Sequence, residues 1–116
     1  MSTNGISSPP AISHLIQKHY PLQHSTFLSS LSDPEPPDDC STEITALWWL
    51  KNRNWQLAHD LIDPAPGPDA AWIHALLHRM EGDQGNASYW YVRSGRSVPE
   101  NTIGQELALM MDHFLD

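Results

Sequence analysis

A single cysteine, Cys40, stands among the 116 residues. It excludes an intrachain disulfide, and no thiolate-rich zinc or iron–sulfur site can be assembled from this chain alone. Basic residues are scarce too. Six Lys and Arg against fourteen Asp and Glu give a formal net charge of −8, which opposes the phosphate neutralisation that sequence-independent nucleic-acid binding requires. DNA, RNA and anionic membranes are therefore not expected as partners. Long apolar runs are missing: the longest, Ala46 to Leu50, is far too short to span a bilayer, and the opening residues carry neither a basic n-region nor an apolar h-region. The expectation is a soluble, cytoplasmic protein. Strict apolar/polar alternation is also absent, so no half-buried strand is expected and the chain reads as all-α.

What is present divides by composition. A Pro/Ser-rich beginning and the acidic segment Asp33 to Asp39 precede a remainder rich in Trp, Ala and Leu. Residues 1–40 are expected to form a flexible or weakly helical arm and an extended, self-repelling linker, and residues 41–116 a helical domain. Within the arm, weak helical patterns over Ala11 to His19 and Leu22 to Leu31 break at Pro21, with Leu15, Ile16, Phe27, Leu28 and Leu31 available to pack on the body. In the domain, Ser41 or Thr42 starts a helix to about Arg53, and Asn54 a second that ends at Pro64 to Pro68. Asp69 starts a third that stops at Gly82, Asn86 a fourth to Gly95, and Asn101 or Thr102 a fifth with the apolar stripe Ile103, Leu107, Met110, Met111 and Phe114.

Displacing the chain by 29 residues pairs Ile44 with Ile73, Ala46 with Ala75, Leu47 with Leu76, Ala58 with Ala87 and Leu61 with Trp90. Two related helical hairpins are the simplest explanation. Ala75, Gly82-Asp83 and Ala87 resemble the small-residue pattern of tetratricopeptide-type repeats, although the period is shorter and the usual aromatic is missing at Gln84. The resemblance implies stacked antiparallel helical hairpins, with the fifth helix as the cap that covers the last apolar face. A longer string, Trp72-x-His74-Ala75-Leu76-Leu77-His78-Arg79-x-Glu81-Gly82-Asp83-x-x-Asn86-Ala87-x-Tyr89-Trp90-Tyr91, resembles the signature of a widespread group of short, uncharacterised bacterial and fungal proteins. It implies a shared fold and carries no activity with it.

The chemistry in this string lies at residues 74, 78 and 81, which stack above one another on a helix. His74, His78 and Glu81 match the donor types of a two-histidine, one-carboxylate transition-metal centre. Three ligands on successive turns span about 10 Å at a rise of ~1.5 Å per residue. A metal would therefore more easily use His74 and His78 with a third ligand from elsewhere, such as His59 or Asp60. No glutamate stands between the histidines, so a zinc-peptidase motif is not formed. Two other readings of the stripe remain open: a solvated polar face, and a buried network in which Glu81, Asn86, Tyr89 or Tyr91 satisfies the imidazoles.

Five tryptophans exceed what one small core should need. The functional expectation is a protein-interaction or adaptor module that meets a protein partner through Trp72, Arg79, Tyr89, Trp90, Tyr91 and Arg93. A metal-binding protein or metal-dependent enzyme centred on His74 and His78 is the alternative. Apart from that ion no cofactor is expected.

Overall fold

The structure is a computed structural model and describes residues 22–116. The expected helix over Ala11 to His19, with Leu15 and Ile16, lies outside the described residues. Among the described residues there are six helices and no strand: α1 (His24–Ser30), α2 (Thr42–Lys51), α3 (Trp55–Ile62), α4 (Pro68–Met80), α5 (Gln84–Ser94) and α6 (Ile103–Phe114). The chain is all-α.

Local chemistry sets most boundaries. The side chains of Ser41 and Asn54 accept hydrogen bonds from the backbone N–H of Ile44 and Leu57, capping α2 and α3. Thr102 and Gln105 form a reciprocal capping box on α6. Two starts differ from expectation. Pro68 opens α4 instead of closing the loop before it, since its missing N–H falls where a helix leaves that donor unused. Asp83, not Asn86, caps α5: its carboxylate accepts the Asn86 N–H, and Asn86 lies inside the helix. Gly95 ends α5 at φ 75°, a left-handed conformation that penalises any residue with a Cβ.

The centre of the protein is α4. Its residues 70 to 77 are all buried, which a helix tolerates only when it is surrounded. Packed against it are α2, α3, α5 and α6. The sequential pairs α2/α3 and α4/α5 are the closest helix contacts, while α6 lies on α4 and α2.

Part of the expected arm belongs to this body. Phe27 on α1 is fully buried, and Leu22 and Leu31 pack on the core. The Trp48 indole N–H donates to Ser30 Oγ at 3.0 Å. Backbone bonds from His24 N to Asp116 O and from Asp116 N to Leu22 O join the start of the described chain to its last residue. Leu28 departs from expectation and stays half exposed. Ser30→Ala leaves the buried Trp48 indole without an acceptor, so a loss of about 1–3 kcal/mol is expected in urea unfolding. A change below a few tenths of that would mean that residues 22–31 are not part of the cooperative unit.

Candidate functional site

Three imidazoles meet where α3 crosses α4. His59 comes from α3, and His74 and His78 come from successive turns of α4. His59 Nε2 and His74 Nε2 are 3.2 Å apart. One ring nitrogen from each of the three residues falls within a set whose members all lie within 4.8 Å of one another. Aromatic rings wall the cluster. Trp90 from α5 stacks on His74 at 3.9 Å between centroids, and Trp55 stacks on His59 at 4.9 Å. Trp55 is fixed in turn by its indole N–H, which donates to the Leu77 carbonyl at 2.8 Å.

His74 is buried, at 2 % exposure, which removes the solvated-face reading for this residue. Its only side-chain hydrogen-bond partner among the described residues is His59. Burial, helped by the neighbouring His59 and His78 and opposed by Asp63, pushes the His74 pKa down to about 4. The imidazole is therefore neutral at physiological pH, as a metal ligand must be. His78 is mostly covered, its side chain 12 % exposed, and its Nδ1 pairs with Glu81 Oε1 at 2.7 Å. That contact leaves Nε2 as the free donor of His78. Glu81 thus touches a histidine and is not itself within the three-histidine set. A second group, His78, Glu81 and Asp83, shares His78 with the first, but its two acids are exposed and Asp83 is engaged by Asn86.

The depressed His74 pKa fixes the sign of an acid response. Between the unfolded value of 6.5 and the folded value of about 4, the unfolded chain binds the proton and the folded chain does not. Stability is complete above about pH 6.5 and falls with decreasing pH by up to about 1.4 kcal/mol per pH unit until the folded value is reached. Replacing His74 with Gln should flatten this region when denaturant midpoints are compared between pH 7 and 4.5. An unchanged slope would show that His74 is not the group responsible.

The remaining signature residues divide into two places. Trp72, Arg79 and Tyr91 converge on Glu106 of α6, which is 2 % exposed. Glu106 accepts from the Trp72 indole N–H at 3.0 Å, from Arg79 Nη1 at 2.7 Å, and from the Tyr91 hydroxyl at 2.7 and 2.8 Å. Arg79 also donates to the Asn101 carbonyl. Burial and the adjacent Glu106 push the Tyr91 phenol well up from its ordinary range. Trp72 and Tyr91, expected to meet a protein partner, are buried and donate to a buried carboxylate. Arg96 covers the Trp72 ring, its guanidinium carbon 3.9 Å from the centroid.

Tyr89 and Arg93 stay on the surface of α5, with Arg93 placed over both Tyr89 and Trp90. No indole is exposed: Trp48 and Trp72 are buried, and Trp49, Trp55 and Trp90 are half-buried. Neither Tyr89, Asn86 nor Tyr91 partners the histidines; of the expected partners only Glu81 does. Cys40 is half-buried, and burial with Asp39 and Asp38 nearby raises its pKa, so it is not an activated thiol. No helix among the described residues is long and apolar enough to cross a membrane.

Comparison with protein-family models, with curated proteins and with solved structures finds no match to this chain.

Proposed function

We propose that this protein binds a transition-metal ion through His59, His74 and His78. The observation that carries this reading is the convergence of three imidazole nitrogens within 4.8 Å, two of them 3.2 Å apart. In a tetrahedral site with metal–nitrogen bonds of about 2.0–2.1 Å, donor atoms sit roughly 3.3 Å from one another. The His59–His74 pair is thus already near that spacing, and the His78 nitrogen lies within 4.8 Å of both. Imidazole donors suit zinc, copper, nickel or iron and not calcium or magnesium. The Glu81 contact to His78 Nδ1 is the kind of outer contact that orients a ligating histidine and raises its basicity. With Trp72 and Tyr91 interior and no indole exposed, the adaptor reading has less physical support than the histidine cluster.

Calorimetric titration of chelator-treated protein with zinc tests the reading. One ion per chain is expected. His59→Ala and His74→Ala should each remove stoichiometric binding, whereas His113→Ala, whose imidazole pairs with half-exposed Asp69, should not. Equal binding by all four proteins would sink the proposal.

A further inference from the structure

Apart from the histidine cluster, the structure has a cavity of about 330 Å³ whose lining includes Asp63, Pro66, Pro68, Ala71, Trp90 and Arg93. It contains none of the three histidines, and the Trp90 ring that stacks on His74 separates it from them. Its volume is at the lower end of small-molecule sites, which run from about 300 to 1,000 Å³. A ligand of amino-acid size suits it better than a peptide or a nucleotide.

Two charges of opposite sign line this cavity. Asp63, at the C-terminal end of α3, is the one acid of the lining, and Arg93 from α5 is the one base. Their side chains form no ion pair or hydrogen bond with each other or with any other described residue. Both groups lie near the Trp90 ring. The Arg93 guanidinium carbon is 5.4 Å from its centroid, and the Asp63 carboxylate is close enough to act on His74, the residue on which that ring stacks. Asp63 and Arg93 are exposed, so a solute can reach them. The other walls, Pro66, Pro68, Ala71 and the face of Trp90, are apolar.

The two charges decide the class of ligand. An anion drawn to Arg93 is repelled by Asp63, and a cation drawn to Asp63 or to the Trp90 face is repelled by Arg93. A molecule that carries both charges meets two attractions instead, each a charge-assisted hydrogen bond. We infer that the cavity binds a small zwitterion, an α-amino acid with an aliphatic side chain, its carboxylate on Arg93, its ammonium on Asp63 and its side chain against Trp90 and the two prolines. This ligand needs no metal ion, and its site stands apart from the three histidines.

The test is calorimetric titration of the full chain with L-leucine, in excess chelator so that no ion can hold the amino acid. Saturable one-to-one binding is expected. Two analogues separate the charges: isocaproate lacks the ammonium and isoamylamine lacks the carboxylate. Each should bind about ten-fold more weakly than leucine, the loss of one charge-assisted hydrogen bond. Asp63→Asn and Arg93→Gln should weaken leucine binding by a similar factor and leave the circular dichroism unchanged, since both residues are exposed. No saturable heat with leucine would overturn the inference. Analogues that bind as tightly as leucine would overturn it too, because the cavity would then select only apolar bulk. An unaltered leucine midpoint in either variant would show that the charge at that residue holds no part of the ligand, and the zwitterion assignment would fall with it.

Discussion

Glu106→Ala is expected to lower the stability of this protein by about 3–5 kcal/mol, the range found when one partner of a buried ion pair is removed. The carboxylate is 2 % exposed and serves donors from two other helices, Trp72 and Arg79 on α4 and Tyr91 on α5. Its removal leaves an indole N–H and a phenol without their acceptor, and a guanidinium whose side chain is only 20 % exposed without its counter-charge. Tyr91→Phe removes only one donor and keeps the charge pair, so its cost should be nearer 1 kcal/mol. Urea midpoints of the two variants decide the matter. A Glu106→Ala loss no larger than that of Tyr91→Phe would mean that the carboxylate does not hold α6 to α4 and α5.

This network explains why the sequence is only partly legible. Helix starts are local events, and Ser41, Asn54 and Thr102 act as caps because each has an oxygen within reach of its own first turn. Pro68 and Asp83 mislead for a related reason. Proline breaks a helix interior yet suits its first residue, and Asp83 and Asn86, both residue types that cap helices, stand only three positions apart. Trp72, Arg79 and Tyr91 read as a binding surface because what they bind, Glu106, lies on a different helix with nothing in its local pattern to mark it. The Ile103 to Phe114 stripe shows α6 as amphipathic, and an acid in its first turn is commonplace.

The histidines show the same division. Placing His74, His78 and Glu81 on one stripe needs only helical periodicity, and the His78–Glu81 contact follows from it at 2.7 Å. Bringing His59 to His74 requires the α3–α4 crossing, which is a tertiary fact. The sequence supports it as far as the argument that three ligands on one helix are too far apart, which makes His59 or Asp60 the candidates for the third; only the crossing selects His59.

Zinc is expected to raise the melting temperature by roughly 10–30 °C when present at a hundred to a thousand times its dissociation constant, which corresponds to about 2.7–4.1 kcal/mol of linkage at ~4–8 °C per kcal/mol for a domain of this size. The ion would join two elements otherwise held by few direct bonds. Between α3 and α4 the structure has the Trp55 bond to the Leu77 carbonyl, the His59–His74 contact and side-chain packing, with the Pro-rich turn Asp63 to Gly67 as the covalent link. An ion on His59 and His74 closes that crossing from its middle. Excess chelator should return the wild type to its starting temperature. His59→Ala is the sharper comparison, because His59 is only half-buried and its loss costs little packing while removing the only ligand from α3. If circular dichroism shows the same zinc-induced shift in wild type and His59→Ala, the ion is binding elsewhere, and the crossing of α3 and α4 is held by hydrogen bonds and packing alone.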